Sequence, residues 1–164
     1  MIDRMKKLLS LFVLVILASC IRAQDKGIEN LPMYHIVNQD SVKMTSSNLK
    51  KNKPVMIIYF SPDCGHCQHL MYEMKPKLNK ISNVQIVMIT FTPYVMVKDF
   101  YKSFGLKAYP NITVGTEGYT YEMQQYFHVK TTPFIAIYNK SGHLVKAYEK
   151  VPDIDDLIAA AQKA

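Results

Sequence analysis

Val55-Met56-Ile57-Ile58-Tyr59-Phe60 is a run of six apolar residues without alternation, followed after Ser61-Pro62-Asp63 by Cys64-Gly65-His66-Cys67 and a helix-like stretch over residues 68–80. An unalternating run of that length, bounded by turn residues, reads as a strand covered on both faces, in the middle of a sheet. Two thiols therefore lie where a buried strand turns into a helix. The first helical turn leaves N–H groups unpaired and carries about half a positive charge. That environment favours the thiolate, which is the nucleophilic form of cysteine, and so points to redox chemistry.

The rest of the chain extends this pattern. Leu70, Met71, Met74 and Leu78 recur at helical spacing and predict a core-facing stripe, with Pro76 kinking or ending the helix. Residues 84–91 read as a second apolar strand, and 93–104 as a helix with Val97, Phe100, Tyr101 and Phe104 on one side, stopped by Gly105. This βαβα alternation is that of an α/β domain. Residues 106–118 read as a loop with one short strand at 112–114, and 119–127 as a short helix. Residues 134–138 and 143–148 form a hairpin around Asn139-Lys140-Ser141-Gly142. A terminal helix follows over 153–162, with aspartates at its start where the helix dipole favours them. Upstream, 34–37 and 41–44 flank the turn-forming Asn38-Gln39-Asp40 as an N-terminal β-hairpin, and Thr45 or Ser46 caps a short helix through Lys51.

The first twenty residues differ in kind. Arg4, Lys6 and Lys7 precede an apolar run over 8–18 that is too short to span a bilayer comfortably and ends in small residues, which is the construction of an export signal. Leu17-Ala18-Ser19-Cys20 has the form of a bacterial lipobox, in which Cys20 becomes the lipidated first residue; ordinary cleavage nearby, after Ala23, is the alternative. Residues 21–31 are polar and patternless and read as a tether, with a single domain over 32–164. The expected location is the cell envelope, facing the periplasm and anchored to a membrane by lipid.

The chain has 164 residues, a formal net charge of +7 and three cysteines. That length supports a core without disulfide staples, and with Cys20 in the signal, only Cys64 and Cys67 are left as thiols of the domain. Two cysteines three residues apart in an exported chain form a working pair rather than a framework. Removing the signal takes away three cations and one anion (Asp3), so the domain stays basic. Its densest cluster, Lys50, Lys51 and Lys53, lacks the aromatic or glycine-rich pattern of a nucleic-acid surface and reads as a solvated loop. Nucleic acid is not an expected partner.

The stretch Tyr59-Phe60-Ser61-Pro62-Asp63-Cys64-Gly65-His66-Cys67, with Lys130-Thr131-Thr132-Pro133-Phe134-Ile135 opening a strand downstream, resembles the thioredoxin superfamily. The N-terminal hairpin, the export signal and the long interval between Cys67 and Pro133 are most similar to the TlpA/ResA-like group of membrane-tethered thiol-disulfide oxidoreductases. That likeness implies a thioredoxin-like α/β fold: a central mixed β-sheet flanked by helices, an N-terminal β-hairpin, and an insertion around 93–120 before the cis-proline strand. It also implies a cis Thr132-Pro133 bond facing the dithiol, with Thr132 presenting its backbone to a substrate strand. Three positions depart from the family pattern. Ile58 stands where a buried acidic residue is usual, Asp63 replaces a Trp beside the first cysteine, and Tyr72 stands where the helix usually has a kinking proline.

On this reading Cys64 attacks a substrate disulfide and Cys67 resolves the mixed disulfide; two intervening residues bring the sulfurs within bonding reach. His66 favours the Cys64 thiolate and makes the disulfide more oxidising, whereas the charge of Asp63 opposes it. The gap between a reductant near about −270 mV and an exchanger near about −180 mV is about 4 kcal/mol, and the family likeness favours the reductant. The implied partners are disulfide- or dithiol-containing client proteins and an upstream thiol donor, for a monomer needing no cofactor. The rival class is metal transfer. Cys64 and Cys67 are half of a zinc-type set that His66, His69, His128 or His143 would complete, and ten methionines raise a copper-delivery protein of the same fold as the alternative. Peroxidase chemistry is a third possibility, although peroxiredoxins place their cysteine in a different motif.

Overall fold

A computed structural model describes residues 27–164. The signal over 1–20, Cys20 and the first part of the tether lie outside the described residues.

The central elements follow from the apolar runs. Strand β3 (Val55–Tyr59) is buried at every position and is continued by buried Phe60. Helix α1 (Gly65–Met74) buries Cys67, Leu70, Met71 and Met74. At Pro76 the chain tightens into a 3₁₀ helix (Lys75–Ile81) that buries Leu78 and Ile81, as expected where a proline removes a helical donor. Strand β4 (Gln85–Thr90) pairs parallel to β3. Helix α2 (Tyr94–Ser103) buries Val97 and Phe100 and ends at Gly105, whose φ of 62° favours a residue without a Cβ.

Strands β1 (His35–Asn38) and β2 (Lys43–Thr45) form the expected hairpin. Its turn is closed by the Asn38 side-chain oxygen, which accepts from the backbone N–H groups of Asp40 at 3.0 Å and Val42 at 2.9 Å. Thr45 and Asn48 make a reciprocal capping box, but the helix they start is a single 3₁₀ turn (Ser46–Asn48) that stops short of Lys51. The lysine cluster instead occupies the exposed turn ahead of β3, at the opposite end of that strand from Cys64. Helix α3 (Glu122–Tyr126), the hairpin β6 (Phe134–Tyr138) and β7 (Leu144–Tyr148), and helix α4 (Ile154–Lys163), capped by Asp153, complete the domain.

Among the described residues the sheet has seven strands in the order β2-β1-β5-β4-β3-β6-β7, mixed in direction, with four α-helices. Alternate residues of β3 serve two cores. Met56, Ile58 and Phe60 join Cys67, Leu70, Phe100 and Leu157 under α1, α2 and α4. Val55, Ile57 and Tyr59 join Tyr34, Met123, Phe127 and Phe134 under α3 and the N-terminal segment. This is the thioredoxin-like α/β arrangement.

Three expectations need correction. The short strand expected at 112–114 runs on to Thr116 as an interior strand, β5 (Ile112–Thr116), parallel to β4 and antiparallel to β1. With β5 and the hairpin added to one side, β4 rather than β3 holds the middle of the sheet. Gly115 suggested a loop, yet its role is close approach: a Cβ there would lie 2.7 Å from Ile36 Cδ1 and 3.0 Å from the Val37 carbonyl oxygen. The tether is also shorter than residues 21–31. Leu31 N donates to Gly142 O at 2.8 Å, Leu144 N to Glu29 O at 2.8 Å and the Tyr138 hydroxyl to Ile28 O at 3.1 Å, so the packed domain includes residues 28–31. Polar composition hid this because these hydrogen bonds use backbone groups of residues 28–31, with only Ile28 and Leu31 packing side chains on the second core.

Gly115→Ala is expected to destabilise the fold by about 1–3 kcal/mol, since Ile36 or the β1–β5 pairing must shift to admit the methyl group. Urea unfolding should show a lower midpoint at an unchanged slope.

Candidate active site

Phe60 N donates to Ile89 O at 2.9 Å, so the chain leaving β3 is still pinned to β4. Within the next turn Cys64 N donates to Ser61 O at 3.1 Å, and Gln68 Nε2 reaches back to Pro62 O at 2.8 Å. Cys64 is the N-cap of α1: its backbone is extended (φ −79°, ψ 117°), and its carbonyl accepts from Cys67 N and Gln68 N, each at 3.0 Å. One thiol thus stands at the helix mouth and the other lies one turn inside.

The second half of the site arrives through sheet register. β6 runs antiparallel to β3 with Phe134 opposite Tyr59. The residues before Phe134 therefore meet the residues after Tyr59. The Thr132–Pro133 peptide is cis, and Cys64 Sγ lies 3.5 Å from the Thr132 carbonyl oxygen across 68 residues of sequence. Thr132 is half-buried and Pro133 buried. Thr131 anchors the same loop by donating from Oγ1 to Glu149 O at 3.3 Å.

The two thiols have opposite environments. Cys64 is half-buried and Cys67 is 1% exposed; both are free thiols. Burial pushes Cys64 upward, but hydrogen bonding by the side chains of Thr132 and Cys67 and by the backbone of Cys67 and His66 outweighs it, leaving the thiol below its ordinary value. Burial dominates at Cys67 and pushes it up to about 12, reinforced by the neighbouring Cys64 sulfur and opposed by the Ser61 backbone and by Thr132. The pair offers one sulfur that ionises more readily than an ordinary thiol and one that holds its proton.

The remaining sequence candidates fall around this pair in different ways. Gly65 and His66 are exposed on the first turn of α1, and no atom lies within 4 Å of where a Gly65 Cβ would be. Asp63 is exposed and accepts a hydrogen bond from Ser61 Oγ. Ile58 is fully buried in the cluster that holds Cys67 and puts a hydrocarbon where the family pattern has a carboxylate. Tyr72 is 66% exposed and packs its ring 5.0 Å from Phe104. The other histidines do not gather at the thiols. His143 Nδ1 pairs with Asn30 Oδ1 at 3.1 Å beside the distal hairpin turn, His69 is exposed on α1, and His128 lies in the loop after α3. Among the described residues no group of three His, Cys, Asp or Glu side chains converges as a metal site would require.

Sequence reasoning missed Glu117. This residue, 6% exposed at the end of β5, accepts from the Tyr59 hydroxyl at 2.8 Å and from Met123 N in the first turn of α3 at 2.7 Å. Burial holds its carboxyl above the usual carboxylate range, against the pull of those two bonds. Two donors aimed at two oxygens suit a carboxylate and not an amide. Glu117 ties the end of β3, where the Cys64 turn begins, to α3, after which the chain runs into Thr132–Pro133. A lone Glu after a β-branched stretch was the signal available, and it is a weak one.

A family model for a thioredoxin-like domain matches residues 26–163. A Caenorhabditis elegans protein described as "Probable protein disulfide-isomerase A4" is 27% identical over 113 residues, 65% of this chain; the chain spans 18% of that protein's length. Among solved structures, a secreted Mycobacterium tuberculosis disulfide oxidoreductase homologous to Escherichia coli DsbE superposes with a TM-score of 0.67 at 14% identity, covering 80% of this chain and 96% of that one. A thiol-disulfide oxidoreductase from Bacteroides fragilis gives 0.67 at 13%, covering 82% and 98%. Arabidopsis thaliana ScoI with copper bound gives 0.65 at 17%, covering 84% and 97%. At these identities the structural likenesses speak to the fold alone. The family match spans nearly all of the described residues and includes both the Cys64–Cys67 turn and the Thr132–Pro133 loop: this chain belongs to the thioredoxin-like domain family.

Proposed function

We propose that this protein is an exported thiol-disulfide oxidoreductase that exchanges disulfides with other proteins through Cys64 and Cys67, acts as a reductant, and is held at a membrane by lipid on Cys20. The observation that carries the reading is the asymmetry of the two thiols beside the Thr132 backbone: Cys64 accessible and easily ionised, Cys67 buried and protonated.

The reaction follows from that asymmetry. The Cys64 thiolate attacks one sulfur of a client disulfide, forming a mixed disulfide and releasing the other client sulfur as a thiolate that takes up a proton. Cys67, one turn away, then loses its proton and attacks Cys64 Sγ. The second client thiol leaves, and Cys64–Cys67 becomes the disulfide. Two electrons pass from the protein to the client, and an upstream dithiol returns them. The high value at Cys67 keeps the second step from competing with the first until a mixed disulfide has formed. With Ile58 beneath it, the Cys67 proton has no neighbouring carboxylate on that side.

The same geometry bears on the metal-transfer alternative. A zinc-type set would need further ligands beside the two sulfurs, and among the described residues no group of three His, Cys, Asp or Glu side chains forms one; the thiol asymmetry is what favours disulfide exchange. The lipid anchor has a geometric corollary. Gly27 and Ile28 line a depression with Thr131, Phe134 and Glu149. The seven residues from Cys20 to Gly27 reach at most about 25 Å, so an anchor there would hold the redox end of the domain toward the bilayer.

Three outcomes are expected. Cys67→Ala should accumulate mixed disulfides between Cys64 and client proteins on non-reducing gels, and wild-type attack on a small disulfide should rise with pH through a midpoint below that of an ordinary thiol. Absence of adducts together with no reaction of any disulfide rejects the enzyme. The Cys64/Cys67 couple, equilibrated against glutathione, should sit near about −270 mV; a value near about −180 mV would reverse the direction. Cys20→Ala should move the protein from the membrane fraction to the soluble one, and unchanged attachment would rule out the lipid.

A further inference from the structure

Between the turn that carries Pro62 and Asp63, ahead of Cys64, and helix α2 the structure has an open groove of about 330 Å³, with no residue of the Thr132–Pro133 loop in its lining. Pro62, Met96, Phe100 and Phe104 give it apolar walls, and Asp63 and Asp99 stand on it with Gln68 and Ser103. Phe100 and Phe104 are buried in the core and stack on one another at 4.6 Å, so that wall is rigid. Gln68 is committed to Pro62 O, which fixes the rim nearest the nucleophile.

Charge is the distinctive feature. Asp63 and Asp99 are both exposed, and among the described residues neither takes part in a salt bridge. Lys98, the cation adjacent to Asp99 in sequence, lies over the Tyr94 ring at 5.8 Å. In a chain with a formal charge of +7, this groove concentrates two carboxylates around an apolar trough within one residue of the reacting sulfur. An apolar floor with a negative rim fits an apolar side chain accompanied by a cation, and it repels an acidic segment.

We propose that this groove receives the part of a client polypeptide flanking its reacting cysteine, with an apolar side chain in the trough and a Lys or Arg against Asp99 and Asp63. The inference rests on the thiol-disulfide reading and names the client chemistry for that site. The client strand lies along the Thr132 backbone, its sulfur at Cys64, and continues over Pro62 into the groove. Asp99 touches no reacting atom; it selects the client.

The test uses the reduced full-length chain in detergent and a set of peptide–glutathione mixed disulfides carrying Leu-Lys, Leu-Glu or Gly-Lys beside the cysteine. In each reaction Cys64 attacks the mixed disulfide and Cys67 completes the exchange, so that the peptide thiol and glutathione leave and the protein becomes the disulfide. At low salt the Leu-Lys peptide should react about five-fold faster than Leu-Glu, and the ratio should shrink toward one in 0.5 M salt, as expected for a surface charge pair. Asp99→Lys should reverse the preference while leaving the rate with a small uncharged disulfide unchanged. Ser103→Trp, at an exposed position on the rim, should erase the advantage of Leu-Lys over Gly-Lys. Reaction without charge preference, or the same preference in Asp99→Lys, overturns the groove alone. Failure to react with any disulfide overturns the redox reading and the groove with it.

Discussion

The antiparallel pairing of β3 with β6 is the contact on which the site depends. Val55 to Tyr59 lie opposite Tyr138 to Phe134, residue for residue, and the pairing is flanked by β4 on one side and β7 on the other. Because Tyr59 faces Phe134, the turn leaving one strand and the loop entering the other emerge at the same end of the sheet, and Cys64 meets Thr132 there. A slip of one residue would turn every β6 side chain to the wrong core and carry Thr132 away from the sulfur. The full burial of both strands resists such a slip. The register that packs the two cores therefore also builds the reactive geometry, and no separate device is needed to bring the halves together.

Given that register, the chemistry is set by depth along one helical turn. Cys64 at the N-cap has hydrogen-bonding groups on several sides, while Cys67, in the next turn, has Ile58, Leu70 and other apolar groups of its core cluster. The same peptide thus places one sulfur at the helix mouth and the other in the core, one turn apart. The His66 and Asp63 side chains are exposed, and charges in solvent are screened. The structure consequently gives more weight to the Thr132 and helix-start contacts than the sequence pattern does.

How far the sequence could be read depended on whether a feature was local. The buried run at Val55, the helix stripe through Met74, the Asn38 turn, the stop at Gly105 and the final hairpin all rest on neighbours within one element, and all are where their patterns put them. The Cys64 turn and the Thr132–Pro133 loop were readable as two motifs, and the family likeness joined them. What escaped depends on partners distant in sequence. β5 continues past its expected end at 114 through a glycine that β1 crowds; residues 28–31 are bound through backbone groups to the β6–β7 hairpin; and Glu117 matters only because Tyr59 and Met123 converge on it. No periodicity records such pairings, since composition reports what a side chain is and not what it faces.

The region between Cys67 and Pro133 that lengthens this chain relative to a minimal thioredoxin is where two of those distant partners lie. α2 and β5 enlarge the same fold in two directions: β5 extends the sheet and delivers Glu117 to Tyr59, while α2 builds the outer wall of the groove beside Cys64. Both effects act on residues adjoining the redox turn, one by fixing its base at the end of β3 and the other by shaping the surface a client must cross. The added region stands at one remove from the two thiols: Glu117 braces the strand end from which the Cys64 turn leaves, and α2 stands beside that turn.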